Sequence, residues 1–521
     1  MPEAKQHPLP LQARAARALV LAAVFACAAC GLVYELALIG LGSFLIGNTV
    51  TQASVVLSVM VCSMGLGALA AKRLARRPAA SFALIEGALA LVGGLSAVLL
   101  YAAFAWLDLY QPALVVVAIA VGALIGAEIP VLMALLQRIR AQDASDAVAD
   151  LFAADYVGAL VGGLSFPFVL LPALGLIRGA LVVGMVNVAA AALVTLWLFG
   201  RDLGCRRLVA AGGLLAVGLL LAAVAVWSDR FEATARQALY EDPVVYAERS
   251  AYQEIVLTES ISLGGRPDLR LFLNGDLQFS SVDEYRYHEA LVHPAMAGPH
   301  TSVLVLGGGD GLAAREVLRH EGVERLVQVD IDPAVTALAR TDDRLVDLND
   351  GALADRRVEV VHADAFAWVR GADERFDVVV ADFPDAEDPA LAKLYSTELY
   401  ALIRRVLAPG GRLVAQAGSP YFAREAFWCV EATLADAGWA SVPYQAEVPS
   451  FGNWGFHLAA IGGVPELAMP DPAPEGLRYL SAEVLAAADA FALDASRVDV
   501  DPSTLLHPTI LEYQRGAWAD Y

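Results

Sequence analysis

The stretch SVLVLGGGDG, residues 302–311, decides how this chain is read. The run at 302–306 has the length and apolarity of a buried strand, and the three glycines, Asp310 and Gly311 lead into a helical pattern that reaches His320. Glycines at such a junction let backbone amides at a helix start approach a ligand closely, at the carboxyl edge where open α/β sheets bind nucleotides. The loop lacks the G-x-x-x-x-G-K of a phosphate-gripping loop, and Asp310 within it would repel a pyrophosphate, so a non-phosphorylated nucleoside is the favoured ligand. Similar strand-like runs at 326–329, 358–361 and 377–381, with helical patterns between them, predict a parallel α/β sheet with right-handed crossovers. Asp330, ending the second run, is placed to bond ribose hydroxyls, and Asp364, after the third, to hold an adenine amino group.

Upstream, runs at 254–259 and 269–273 with turn signals Gly264-Gly265 and Asn274-Gly275 predict a small β subdomain. Further upstream the chain changes character. Of 521 residues 58% are hydrophobic and 18% charged, and the mean hydropathy is +0.55, too apolar for one soluble domain. Residues 1–228 carry 13 Lys+Arg against 10 Asp+Glu, whereas the remainder carries 23 against 47. The resulting −24 on the second half excludes nucleic-acid binding and favours a small cationic substrate. The five cysteines (Cys27, Cys30, Cys62, Cys205, Cys429) form neither a disulfide framework nor a zinc pattern, and Cys27-x-x-Cys30 reads as small residues on one helix face.

Apolar stretches at 18–46, 50–71, 80–106, 112–136, 151–174, 176–199 and 207–228 each suffice to cross a bilayer, so seven transmembrane helices are expected after a tail at 1–17. Twelve basic residues (Lys5, Arg14, Arg17, Lys72, Arg73, Arg76, Arg77, Arg138, Arg140, Arg201, Arg206, Arg207) fall in loops on one side and only Arg178 on the other, which puts the N-terminus in the cytoplasm. Seven spans then put the acidic half outside. Glu35, Glu86, Glu128 and Asp155 lie in or beside the apolar spans, where carboxylates face the bundle interior and either fix helix packing or line a cation path. Gly158, Gly162 and Gly163 give a face suited to close helix contact.

A set of ordered motifs now joins the glycine loop. Tyr252-Gln253, the run Asn274-Gly275-Asp276-Leu277-Gln278, Asp283-Glu284, Tyr287-His288-Glu289, GGGDG with Arg315-Glu316, and Asp382-Phe383-Pro384-Asp385 together resemble the spermidine synthases, or polyamine aminopropyltransferases. The apolar half, with Pro449-Ser450-Phe451-Gly452 and Trp454-Gly455-Phe456, is similar to the membrane-attached bacterial branch of that family. The resemblance implies a class I methyltransferase-like (Rossmann-like) domain at 301–465, preceded by the β subdomain at 229–300; beyond it, the Pro-rich stretch 470–474 reads as a linker within a terminal segment at 466–521, with a helix at 482–493. It also implies transfer of an aminopropyl group from decarboxylated S-adenosylmethionine to putrescine, releasing 5′-methylthioadenosine and spermidine.

By position, the resemblance makes Gln253, Asp330, Asp364, Ala365 and Pro389 nucleoside contacts, His288, Asp310 and Asp385 amine contacts, and Asp382 the proton acceptor. No metal and no cofactor is expected, only the nucleoside cosubstrate, and a dimer or larger assembly is implied. Trp454 is a further candidate for capping the amine channel. Asn274, Leu312, Phe383, Pro384 and Ala386 depart from the family pattern and leave the amine length open. Two other classes stay in view: a transporter or sensor coupled through Glu35, Glu86 or Glu128, and a methyltransferase using intact S-adenosylmethionine. Because decarboxylated S-adenosylmethionine is made in the cytoplasm, a multi-pass cell-membrane protein with a cytoplasmic catalytic domain is expected, against the loop charges.

Overall fold

Long alanine-, leucine- and valine-rich runs satisfy their own backbone as helices, while the short alternating runs downstream need partners in a sheet. The computed structural model describes residues 9–46, 49–72, 74–107, 109–139, 144–261, 265 and 267–517; Lys5, Arg73, Arg140, Gly264, Trp518 and the start of the 1–17 tail lie outside the described residues. The chain forms two units, Met1–Glu241 and Asp242–Tyr521.

The first unit contains helices α1 (Ala13–Ile46), α2 (Thr49–Ala70), α3 (Pro78–Ala102), α4 (Tyr110–Ile139), α5 (Ala144–Ser165), α6 (Leu171–Ala192) and α7 (Arg206–Gln237). Among the described residues six helical stretches, not seven, are long and apolar enough to cross a membrane, because the segments expected at 151–174 and 176–199 belong to one stretch, Val148–Leu198. No polar loop divides it. Its backbone breaks only at Gly175, with φ 69° and ψ −178°. Phe166, Leu176 and Ile177, around the break, pack with Tyr34, Leu38 and Leu41 of α1. Leu151 at one far end and Val194 and Leu198 at the other pack with Ala16, Val20 and Val24. The chain therefore reverses at Gly175, and α5 and α6 lie antiparallel along α1. At Gly158 and Gly162 a β-carbon would overlap the backbone of Phe25 and Ala29, so these glycines permit the α1–α5 approach. The helix α7 continues to Gln237 rather than ending at 228: hydropathy falls at Ser228, but Glu232, Ala233, Ala235 and Arg236 are strong helix formers.

The second unit opens with a four-stranded antiparallel sheet of β1 (Val244–Arg249), β2 (Glu254–Ile261), β3 (Pro267–Leu273) and β4 (Asp276–Ser280). Asn274 and Gly275, both at positive φ, make its tight β3–β4 turn. Helix α8 (Glu284–Val292) leads to β5 (Ser302–Gly307), α9 (Leu312–Leu318), β6 (Arg325–Asp330), α10 (Pro333–Thr341), β7 (Val358–His362), β8 (Phe376–Asp382), β9 (Leu407–Gln416), β10 (Ala440–Val448) and β11 (Gly452–Ala460). The second sheet runs β10-β11-β9-β8-β5-β6-β7. It is parallel from β9 to β7, but β11 is antiparallel to both β9 and β10, so the sheet is mixed rather than purely parallel. Only Pro449, Ser450 and Phe451 separate β10 from β11, too few for a parallel crossover. The β subdomain rests on α9 and α10 through Ile255, Leu257, Leu271 and Phe279, packed with Leu312, Val335 and Leu338. The expected helix at 482–493 spans only Ala482–Ala487, since Ala488 and Ala490 turn back to bond Gln445.

Candidate active site

Two adjacent strand ends set the position of everything else. β5 and β8 run parallel with Gly307 opposite Asp382, at the place where strand order reverses and a doubly wound sheet opens a crevice. The glycine loop fits into that crevice because it has no side chains. A β-carbon at Gly308 would lie 2.8 Å from Asp382 Oδ2, and one at Gly309 2.6 Å from Asp330 Oδ2, both inside contact distance.

Around Asp382 the structure gathers His288, Asp310 and Asp385. Tyr287 donates its hydroxyl to Asp382 Oδ1 at 2.6 Å. Asp310 accepts the Leu312 amide at 2.8 Å, and Asn349 holds its carbonyl at 2.9 Å. Asp385 accepts from Gln416 at 3.3 Å and from Gln514 at 3.1 Å. His288 is buried, its Nδ1 donating to the Glu284 carbonyl at 2.8 Å and facing a Glu284 carboxylate oxygen at 3.0 Å. Arg315 clamps the same carboxylate with two N–H groups at 3.0 and 2.8 Å.

The electrostatics are those of an anionic pocket. Burial pushes Asp310 up to about 6, with His288 opposing and Asp382 adding to the shift. Burial likewise raises Asp382 against the pull of His288 and Tyr287, and Asp385 against Gln416 and Gln514. At the rim, partial desolvation and the charge of Asp385 raise Asp276 to about 6, and desolvation with Asp276 and Asp385 raises Glu387 to about 7. Burial alone would lower His288, but Glu284 outweighs it and the ring's affinity for a proton rises. Carboxylates that raise one another in this way are the complement of a bound ammonium, which would return them to the charged form.

The nucleoside-edge candidates form a second group. Gln253 donates to Asp332 at 3.0 Å, and the Asp332 amide donates to Asp330 at 2.8 Å, which ties the β subdomain to the end of β6. Burial raises Asp330 to about 6, against the Asp332 amide. Asp364 follows the neighbouring strand β7, caps the helix Ala365–Gly371 and pairs with Lys393 at 2.6 Å. Desolvation opposes ionisation of Asp364, yet Lys393 holds it below the usual carboxylate range. Pro389 begins the short helix Pro389–Ala392, and Lys393 immediately after it draws that turn towards Asp364. Trp454 lies beside the first group, donating to Gln416 at 3.2 Å with its ring edge-on to Tyr287.

Residues 284–467 match the family described as spermine/spermidine synthase domain. The chain is 59% identical over 512 residues to polyamine aminopropyltransferase 1 of Streptomyces coelicolor, covering 98% of this chain and 96% of that one. It belongs to the polyamine aminopropyltransferase family. A polyamine aminopropyltransferase of Mycobacterium tuberculosis is 50% identical over 513 residues, with 96% of this chain and 97% of that one covered. Among solved structures, a spermidine synthase in complex with the transition state analogue AdoDATO is 27% identical, covers 48% of this chain and 85% of that chain, and aligns with a TM-score of 0.44.

Within this polyamine aminopropyltransferase fold, several groups at the site escaped the sequence reading. Tyr287 stood in a quoted motif, yet nothing there shows that its hydroxyl meets a carboxylate 95 positions on. Asp276 stood in a quoted motif and Glu387 in none, yet nothing in chain order shows that both meet Asp385. Gln514 comes from the terminal helix Thr509–Ala517, a segment with no legible role, and reaches Asp385 across 129 positions.

Proposed function

We propose that this protein transfers the aminopropyl group of decarboxylated S-adenosylmethionine to putrescine, giving spermidine and 5′-methylthioadenosine. The observation that carries this is the convergence of Asp310 and Asp382 on His288, with Asp385 beside the same Tyr287 that bonds Asp382, at the end of a glycine loop without a phosphate-binding lysine. Putrescine is a dication, so its attacking nitrogen has to lose a proton before its lone pair is available. In this reading Asp310 and Asp385 hold the amine, and Asp382 takes that proton, after which the freed lone pair forms the N–C bond as the C–S bond of the sulfonium breaks. Sulfur leaves as a neutral thioether, a good leaving group that needs neither a metal nor a general acid. Gln253, Asp330, Asp364, Ala365 and Pro389 hold the nucleoside, with Lys393 already orienting Asp364. Mass spectrometry of products from detergent-purified protein with decarboxylated S-adenosylmethionine and a panel of diamines tests the reaction. Methylthioadenosine appearing with one aminopropylated amine is the expected result, and its absence with every amine refutes the assignment.

The sign of the pH dependence follows from Asp310. A carboxyl group raised to about 6 is charged only above that pH, so kcat/KM falls as pH drops through about 6 while the amine stays protonated throughout. Asp310→Asn weakens this acid limb, to which Asp276 and Glu387 at the rim also contribute, and removes most amine affinity. A pH–rate profile for the unaltered protein that is level down to about pH 5 contradicts the placement.

The first unit we read as a membrane domain with seven passes. The 51-residue stretch Val148–Leu198 would extend about 75 Å as one straight helix, far beyond a hydrocarbon core of about 30 Å, and its reversal at Gly175 makes it two passes. Leu208, Val209 and Val226 are 76–82% exposed on α7, apolar surface that suits lipid. We place the catalytic unit in the cytoplasm because its cosubstrate is made there, although the loop charges argue the other way. Protease added to right-side-out vesicles is expected to spare residues beyond 242; cleavage there would place the site outside.

A further inference from the structure

The first unit holds a second cluster of reactive side chains that aminopropyl transfer does not use. Cys27 on α1, Glu86 on α3 and Glu128 on α4 converge so that one atom from each, the thiol sulfur and a carboxylate oxygen apiece, lies within 4.8 Å of the others. All three are buried, with Glu86 at 0% exposure. Among the described residues the Glu86 carboxylate finds no hydrogen-bond partner outside this cluster, only the Cys27 thiol and the Glu128 carboxyl within it, which is costly among apolar helices. Arg17, Arg138 and Arg178 are paired with Asp150, Asp202 and Asp229 instead. Cys30, one turn from Cys27, turns away to donate to the Val183 carbonyl at 3.7 Å.

We propose that Cys27, Glu86 and Glu128 bind a divalent transition-metal ion of the zinc class that ties α1, α3 and α4 together. Sulfur at about 2.3 Å and carboxylate oxygens at about 2.1 Å from a tetrahedral ion stand about 3.5 Å apart, so closing from 4.8 Å is shared among three side chains as a shift of under about 1 Å each. A sulfur ligand selects against magnesium and calcium, which take oxygen sets. The thiol proton, and any proton on the carboxyl groups, leaves to water as the ion enters. Three protein ligands leave a fourth position for a water molecule.

The test uses the full chain in detergent, stripped with a chelator, loaded with Zn²⁺ or Co²⁺ alone and desalted before elemental analysis. About one equivalent is expected to stay bound, and the cobalt form is expected to show thiolate-to-metal charge-transfer absorption. Cys27→Ser abolishes that band, Glu86→Gln and Glu128→Gln each weaken Zn²⁺ binding at least about tenfold, and Cys27→His restores binding without the band. Gel filtration and methylthioadenosine formation check that each variant is folded. Retention of less than about a tenth of an equivalent by the unaltered protein overturns the proposal without reference to any variant, as does a band that survives Cys27→Ser.

Discussion

Asp382→Asn is expected to lower kcat for methylthioadenosine release by about a thousandfold, about 4 kcal/mol in the barrier, while both substrates still bind. The size follows from what the substitution keeps. An amide has the shape of the carboxylate and its oxygen still accepts the Tyr287 hydroxyl, which lies 2.6 Å from Oδ1, so the loop between β8 and Pro389 has no reason to rearrange. What disappears is a base whose proton affinity is raised by burial against the pull of His288 and Tyr287. On the proposed assignment Asp310 and Asp385 remain to hold the amine, so its affinity is expected to fall less than kcat. Tyr287→Phe separates positioning from proton transfer: it removes one hydrogen bond to Asp382 without removing the base, and costs about tenfold. Rates and binding isotherms for both variants check this, and an Asp382→Asn enzyme within tenfold of the unaltered one would move proton acceptance elsewhere.

The parts of this design that the sequence carries are local ones. A strand, three glycines and a helix start are adjacent in the chain, so SVLVLGGGDG announces its own geometry, and the acids at the ends of β6, β7 and β8 can be counted from the strands that deliver them. Reversal of the chain at Gly175 was half legible: hydropathy separated 151–174 from 176–199, but no polar loop marks the turn because the backbone turns on one residue at φ 69°. Pairing between distant segments was not legible. Glu289 and Asp283 sit in quoted motifs beside the candidate amine contact His288, yet Glu289 receives the amides of Arg478, Tyr479 and Leu480, and Asp283 receives the amide and hydroxyl of Ser450. They clamp later segments of the chain beside the site, a role that one-dimensional order cannot distinguish from substrate binding. Glu316 and His293 form another such pairing, at 3.0 Å and buried.

That buried scaffold supports the second large expectation. Arg315→Met is expected to destabilise the catalytic unit by about 3–5 kcal/mol and to lower its unfolding midpoint by on the order of 10 °C. Glu284 and Glu316 are each 1% exposed, and Arg315 binds both, two N–H groups on Glu284 and Nε on Glu316 at 2.8 Å. Burial would raise Glu316, but His293, Arg315 and Arg319 hold it down to about 2, well under the ordinary carboxylate range. A folded value this low means that the carboxylate contributes stability above its unfolded value near pH 4, and that this is lost as pH falls towards 2. Without the guanidinium, part of that contribution goes and, among the described residues, the Glu284 carboxylate keeps His288 Nδ1 as its side-chain partner. Arg315→Lys retains a charge but not the two-pronged geometry, so a smaller loss is expected. Pairing Arg315→Met with Glu284→Gln removes the stranded charge and recovers part of the midpoint, but it also takes the carboxylate away from His288 Nδ1. Stability and kcat/KM should then separate, the first partly restored and the second still low, which thermal unfolding and turnover on the same preparations would resolve. If both recover together, His288 is held by the Glu284 carbonyl alone and the ion pair serves only the fold.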